Sequence, residues 1–123
     1  MNAMICLAAG SLVGGFARWL LSDAVSRGLG GRFPFGTLAV NLSGCFLIGA
    51  LQGLGESRLG AQGRMLLMTG FCGAFTTFSA FILEASVLFK DGNIWHALAY
   101  IFMSLIVCLV AFSAGALAGK AFS

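Results

Sequence analysis

Charged side chains are scarce in this sequence, and their scarcity decides its class. Only 4 acidic and 7 basic residues occur among 123, so charged residues make up 9% of the chain and hydrophobic residues 59%. Soluble globular domains carry about 25% charged residues, which cover the surface that faces water. The composition therefore excludes a soluble domain and indicates an integral membrane protein.

The residue types that build catalytic and metal centres are also rare. His96 is the only histidine, and the four cysteines, Cys6, Cys45, Cys72 and Cys108, fall one in each hydrophobic run without a CxxC pair. Buried cysteine ordinarily behaves as a small hydrophobe, and no nucleophile, base or metal cluster has a workable spacing. We therefore expect a protein that is not an enzyme, and we expect no nucleic-acid partner.

Four hydrophobic runs divide the chain, at about residues 3–21, 35–54, 65–89 and 94–121. A hydrocarbon core about 30 Å thick takes about 20 apolar helical residues to cross, so the chain has room for four crossings and little else. No Lys or Arg precedes the first run, which favours a retained helix over a cleaved signal peptide. The sequence thus predicts an all-α membrane protein with a single four-helix transmembrane domain over residues 1–123.

Positive charge is balanced between the two sides of the predicted membrane domain. If the spans alternate in direction, three basic residues fall on each side: Arg58, Arg64 and Lys120 on one, and Arg27, Arg32 and Lys90 on the other. Orientation normally follows an excess of Lys and Arg in the cytoplasmic loops. The balance is compatible with one fixed topology set by a weak signal. It also predicts copies that insert both ways round and pair antiparallel, which would supply enough helices to enclose a pathway.

Polar residues inside the second and fourth runs are costly in lipid and are therefore candidates for function. Asn41 shares a helical face with Thr37, and its amide can either join helices or donate to an anion in a pathway. In the fourth run Tyr100, Ser104 and Cys108 recur every four residues. Serine in a membrane helix often bonds only to its own backbone, but its alignment with Tyr100 favours a polar stripe.

Two charged residues inside the predicted spans have alternative interpretations. Arg18 can extend its stem to the interface beside Trp19, or its permanent charge can attract anions at the mouth of a vestibule. Glu84 lies deep in the third run, where it either faces a water-filled cavity or pairs with a basic partner.

Small residues also recur at helical spacing. Gly10 and Gly14 form one GxxxG motif, and Gly49 and Gly53 form another. Such spacings allow helix backbones to approach closely, although in a chain with 18 glycines some arise by chance.

The third run contains a stretch that weakens a helix. "TGFCGAFTTFSAF", from Thr69 to Phe81, combines glycine and threonine with a stripe of phenylalanines. Non-helical backbone at membrane depth is tolerated where it is buried in protein or lines a cavity, and broken helices commonly coordinate ions. We expect a helix break here, at a functional centre. The rings can simply pack, or their electropositive edges can hold a dehydrated anion.

Three segments carry a family resemblance. "GGFARW", "GTLAVNLSGCFLIG" and "GFCGAFTTFSAF" occur in this order across four spans in a chain of this length. Together they resemble the Fluc (CrcB-type) fluoride ion channels, and the resemblance covers essentially the whole chain.

The resemblance implies an antiparallel, dual-topology homodimer in the lipid of a bacterial plasma (inner) membrane. Its two pores would export fluoride passively from the cytoplasm and so relieve fluoride toxicity. Arg18 matches the vestibule arginine, and the backbone carbonyls of Gly73 and Thr76, from both subunits, match those that hold a structural sodium ion at the dimer centre. Cys108 departs from the family pattern, because serine or threonine is frequent there. The implied pore residues are Asn41, Phe78, Phe81, Tyr100 and Ser104, with hydroxyl groups from Thr77 and Ser79.

Two other functions remain open on the sequence. Small multidrug resistance exporters also have four spans and can pair antiparallel, but they carry a membrane carboxylate in the first helix, and the first run has none. A non-transporting assembly subunit of a larger complex would leave Asn41 and the predicted break unexplained.

Overall fold

The computed structural model describes residues 2–123, and Met1 lies outside the described residues. Four stretches of this part are long and apolar enough to cross a membrane: 3–29, 35–54, 56–90 and 94–121. The prediction of an all-α protein with four spans is confirmed. Its elements are α1 (Ala3–Leu29), α2 (Phe35–Leu54), α3 (Glu56–Arg64), a π-helical segment (Met65–Cys72), α4 (Gly73–Phe75), α5 (Phe78–Lys90) and α6 (Ile94–Ala121).

Helix α1 continues eight residues beyond the end of the predicted first run. The run ends at Leu21, where the side chains become polar, but the backbone stays helical, and an ion pair between Asp23 and Arg27, at 2.9 Å, bridges successive turns there. The helix ends at Gly30, whose φ of 62° places it in the left-handed region, and its N–H donates to the Ser26 carbonyl. The hydrophobic run thus predicted only the apolar part of α1, and the helix extends beyond it.

The segment between the second and third hydrophobic runs is largely helical and is not an open loop. It forms α3, where Glu56 and Arg64 make an ion pair at 2.9 Å. Gly60 interrupts α3 with a φ of 64°, a conformation that glycine adopts without steric cost. Polar side chains exclude this segment from lipid, but local bonds keep it helical.

The helical path of the third span changes character near its middle. Residues Met65–Cys72 are π-helical, a wider winding that is rare and often occurs at functional sites. After the single turn of α4, Thr76 (φ −81°, ψ 157°) and Thr77 (φ −148°, ψ 118°) have extended backbones, and α5 then begins at Phe78. The third span is thus not one regular α-helix.

Glycines bring α2 and α6 into backbone contact. A methyl group added at Gly49 would clash with the Phe112 carbonyl, and one added four residues later, at Gly53, would clash with the Ala116 carbonyl. Because partners advance together by one turn, the two helices run parallel, as spans two and four must if the chain crosses alternately. Gly10 and Gly14 of α1 make equally close approaches to the third span. Both GxxxG motifs therefore mark real helix contacts.

Candidate functional site: two cavities beside the third span

Two cavities flank the extended residues Thr76 and Thr77 of the third span. The first, which we call the Arg18 cavity, has a volume of about 650 Å³ and is bordered by Arg18, Ser22, Thr37, Thr77, Ser79 and Glu84, among others. The second, the Asn41 cavity, has a volume of about 700 Å³ and is bordered by Asn41, Cys45, Gly73, Thr76, Thr77, Phe78, Phe81, Ser104 and Cys108, among others. Thr77 borders both cavities, so the extended residues lie between them.

Asn41 holds the extended backbone with two hydrogen bonds. Its side-chain Nδ2 donates to the Thr77 carbonyl at 3.0 Å, and its Oδ1 accepts from the Thr77 N–H at 2.8 Å. An amide side chain is suited to this pairing because it presents a donor and an acceptor side by side. One N–H of the Asn41 amide remains for another acceptor. Asn41 therefore joins α2 to the third span, which is one of the two roles that the sequence left open, and it also borders a cavity.

Two N–H groups near the extended residues donate to side chains and not to the backbone carbonyls that a continuous helix would offer them. In a regular α-helix, residue i donates to the carbonyl of residue i−4. Thr77 would then bond Gly73, and Ala80 would bond Thr76, but Thr77 N–H donates to Asn41 and Ala80 N–H donates to Thr77 Oγ1 at 3.3 Å. The carbonyls of Gly73 and Thr76 are thereby released from these two helical bonds.

Hydroxyl groups cluster at the start of α5, beside the Arg18 cavity. Thr77 Oγ1 caps the helix and lies 3.4 Å from Ser79 Oγ. A helix N-terminus presents unpaired N–H groups and the positive end of the helix dipole, both of which favour an anion. Arg18 borders the same cavity and forms no ion pair within residues 2–123. Arg18 and the helix N-terminus attract anions on this side, whereas the carboxylates of Asp23 and Glu84, which border the same cavity, oppose that attraction.

Glu84, which the sequence did not place, accepts two hydroxyl hydrogen bonds. Thr37 Oγ1 donates to Oε1 at 2.7 Å, and the Tyr100 hydroxyl donates to Oε2 at 2.8 Å. The carboxyl group of Glu84 therefore has two hydroxyl partners and pairs with no basic residue within residues 2–123. It borders the Arg18 cavity, which agrees with the alternative that Glu84 faces a cavity.

Tyr100 and Ser104, adjacent on the predicted polar stripe of α6, have different environments. Tyr100 is fully buried among Phe33, Phe81 and Glu84, and its hydroxyl is used by Glu84. Ser104 is 7% exposed and borders the Asn41 cavity, and its Oγ is the buried side-chain oxygen that finds no partner within residues 2–123. Buried hydroxyls are nearly always hydrogen-bonded, so a Ser104 hydroxyl without a partner is an exception. Its O–H can donate to a ligand in the cavity.

The phenylalanines do not form the single stripe that a continuous α-helix would give. Phe71 and Phe75 stack with ring centroids 5.4 Å apart, and Phe78 and Phe81 form a separate tilted pair at 5.7 Å. The expectation of one stripe is wrong, because it assumed a period of 3.6 residues through π-helical and extended backbone. In this single chain Phe78 is 70% exposed and Phe81 is 6% exposed, and both border the Asn41 cavity.

The family model described as "CrcB-like protein, Camphor Resistance (CrcB)" matches residues 5–116. The chain belongs to the CrcB-like family. The family resemblance read from the three sequence segments is therefore confirmed.

Curated relatives match this CrcB-like chain over most of both lengths. A protein of Chlorobium phaeobacteroides is 46% identical over 112 residues, which is 87% of each chain. A protein of Hahella chejuensis is 46% identical over 114 residues (91% of this chain and 90% of the relative), and one of Methylobacillus flagellatus is 45% identical over 113 residues (89% and 88%). All three carry the name "Fluoride-specific ion channel FluC".

Sequence reasoning missed how Thr37, Glu84 and Tyr100 meet in the CrcB-like chain. Thr37 and Tyr100 each precede by one turn a polar residue that had been singled out, Asn41 on α2 and Ser104 on α6. If the polar faces of the second and fourth spans are assumed to meet, their hydroxyl donors need a common acceptor. Glu84 of the third span is the carboxyl group that can accept from both.

Proposed function

We propose that this chain is a fluoride-selective channel that lets fluoride cross the membrane passively, with the Asn41 cavity as its path. The observation that carries the proposal is the buried Ser104 hydroxyl without a partner, in the same cavity as the spare Asn41 N–H and the rings of Phe78 and Phe81. Fluoride is small and strongly hydrated, so a selective path must replace its water with several donors. The names of the relatives support this function, which is not enzymatic.

The route we propose enters through the Arg18 cavity. Arg18 raises the local concentration of anions, and the hydroxyls of Ser79 and Thr77 lead to the extended residues that separate the cavities. On the other side, Ser104 and Asn41 donate hydrogen bonds, and the positive ring edges of the phenylalanines add weak attraction in a dry passage. Tyr100 contributes indirectly here, because its O–H is engaged by Glu84. The polar track on α6 in this chain thus depends on Ser104.

Fluoride efflux from liposomes tests this function directly. With a potassium gradient and valinomycin, a fluoride electrode is expected to record rapid fluoride efflux for the wild type, and a chloride electrode is expected to record no chloride efflux above background. Phe81→Ile or Phe78→Ile removes ring edges, and we expect each to reduce fluoride efflux by about tenfold or more, equivalent to a barrier about 1.4 kcal/mol higher. Equal passage of chloride and fluoride, or normal flux in both variants, would contradict the proposal.

We also propose that a structural sodium ion binds the carbonyl oxygens of Gly73 and Thr76 from both subunits of a dimer. Hard cations prefer oxygen ligands, and unwound backbone carbonyls coordinate sodium in broken membrane helices. The diversion of the Thr77 and Ala80 N–H groups to other acceptors fits these carbonyls for that role. The ion would offset carbonyl dipoles at the break predicted in the third span, and it would not itself be transported.

Sodium binding predicts a stability that depends on the cation. A bound ligand stabilises the folded state by an amount that rises with the logarithm of ligand concentration over Kd, so the dimer is expected to melt at a higher temperature in sodium chloride than in N-methylglucamine chloride. Thr76→Ser keeps the carbonyl and is expected to be mild. A Cβ at Gly73 meets only the Met68 carbonyl, at 4.0 Å, within one chain, so weakened assembly in Gly73→Val would report a partner at this point. Identical melting in both salts would refute the sodium site.

The pathway requires a second, antiparallel copy in our proposal. Phe78 borders the Asn41 cavity but is 70% exposed in one chain, so a second chain would enclose the passage. The balance of basic residues favours insertion in both directions. In the inner membrane of a bacterium, surrounded by lipid, such a homodimer would contain two pores and would release fluoride from the cytoplasm.

Unbalancing the positive charge tests dual insertion. Ser57→Lys with Ala61→Lys adds two charges to exposed positions of α3, and we expect C-terminal reporters, which signal from both sides in the wild type, to signal mainly from one. Flux should fall and should return when Gly28→Lys with Asp91→Lys, biased the opposite way, is coexpressed. Ser57→Gln with Ala61→Gln is the uncharged control. A wild-type reporter visible from one side only would reject dual topology.

A further inference from the structure

Two cysteine thiols from different helices meet at the Asn41 cavity. Cys45 of α2 and Cys108 of α6 both border this cavity, and each is only partly buried. Both lie on the face of their helix that borders this cavity, one turn before the contact of Gly49 with the Phe112 carbonyl. Both thiols border the proposed fluoride path, but no donor role is assigned to either of them above.

The packing of α2 against α6 explains why the thiols meet. The helices run parallel in backbone contact, with Gly49 against Phe112 and Gly53 against Ala116. One turn back along both helices, the same alignment sets Cys45 beside Cys108. Close approach at the glycines therefore holds the two helices together near the level of the thiols.

We propose that Cys45 and Cys108 form a binding site for the mercuric ion, which bridges α2 and α6 and closes the Asn41 cavity. Each thiol releases its proton to water, each sulfur forms one bond to mercury, and the ion loses two of its water ligands. No electron is transferred. The product, one divalent cation with two thiolates, is electrically neutral, which matters because an unpaired charge in an apolar region is costly.

The number of ligands selects the metal. Thiolate sulfur favours soft metal ions, whereas zinc sites in proteins are almost always tetrahedral with four ligands. Within residues 2–123, no group of three His, Cys, Asp or Glu side chains is arranged to hold a metal ion. Two thiols suit an ion that accepts linear coordination. A monovalent soft cation would leave a net negative charge, and the divalent mercuric ion would not.

Mercury at this position would block the passage. Cys45 and Cys108 each lie one turn from a proposed fluoride donor, Asn41 on α2 and Ser104 on α6. A bridging metal atom would occupy the cavity next to these donors and draw the helices together. The blocking step rests on the proposed function, whereas the binding step does not.

Two readouts on the reconstituted full chain separate these steps. Native mass spectrometry of the reduced protein with mercuric ion is expected to show one mercury atom per chain, with the loss of two protons. Fluoride efflux should fall by about tenfold or more once mercury exceeds its Kd about tenfold, and dithiothreitol should restore it. Cys45→Ser and Cys108→Ser should each lose the bridged adduct and the inhibition, with flux normalised to each variant's own untreated rate.

The other two cysteines provide matched controls. Cys6→Ser, on α1, and Cys72→Ser, which removes the remaining thiol of the Asn41 cavity, should both keep the bridged adduct. Zinc should neither bind tightly nor inhibit. A bridged adduct that survives Cys45→Ser or Cys108→Ser, or its absence from the wild type, would overturn the metal site even if the protein conducts fluoride. A bridged adduct with undiminished flux would uphold the site and reject the Asn41 cavity as the path.

If the serine variants fail to fold, the wild type still decides the question. Proteolysis of the mercury adduct should yield a peptide containing Cys45 joined through mercury to one containing Cys108. Mercury found on any other pair of cysteines would overturn the proposal.

Discussion

Asn41→Asp is expected to reduce fluoride flux by about a hundredfold or more while leaving a folded protein. The substitution preserves size but replaces the donor Nδ2 with oxygen, so a carboxylate would face the Thr77 carbonyl that Nδ2 now bonds at 3.0 Å. A buried polar group left without its partner costs about 1–3 kcal/mol, and more for a charge, and about 2.7 kcal/mol on a barrier is a hundredfold in rate. The added negative charge also repels the anion.

Fluoride efflux from liposomes measures this effect, and size-exclusion chromatography verifies that the protein is intact. Ser43→Ala is the matched control, because the Ser43 hydroxyl on the same helix bonds only to the local carbonyls of Ala39 and Val40. We expect it to conduct normally. Normal flux in Asn41→Asp would mean that neither the Thr77 contact nor the amide donors matter for conduction.

Gly115→Ala is expected to lower the free energy of unfolding by about 1–3 kcal/mol, the usual cost of an added methylene in a close-packed contact. A Cβ at this position would clash with the Phe46 carbonyl, a backbone atom that can give way only if α2 and α6 separate. Separation would also disturb the alignment of Asn41 with Ser104, so flux should fall together with stability.

Gly28→Ala makes the same change where no neighbour lies within 4 Å. Alanine favours a helix over glycine by up to about 1 kcal/mol, so this variant should be unchanged or slightly more stable. Thermal unfolding in detergent, followed by tryptophan fluorescence, compares the two. Equal shifts in both variants would show that the contact between α2 and α6 does not limit stability.

The hydrophobic pattern predicted the membrane domain well, because the thickness of the bilayer dictates the length of an apolar run. Helices α2 and α6 occupy the ranges 35–54 and 94–121 that hydropathy indicated. The hydrophobic pattern failed to predict the end of α1 and the presence of α3. Both segments carry polar side chains, yet both are helical and contain ion pairs. Hydropathy measures transfer into lipid, and helix formation continues outside it.

The tertiary structure alone decided which polar groups serve one another. The sequence marked Asn41, Thr77, Tyr100 and Ser104 as polar residues in lipid, but their partners depend on how α2, the third span and α6 approach. Asn41 bonds Thr77 and Tyr100 bonds Glu84, whereas Ser104 remains free. Composition and spacing determined that this chain spans a membrane and carries polar groups inside it. Only the packing of helices at their glycines determined which donors are already used and which are left for an ion.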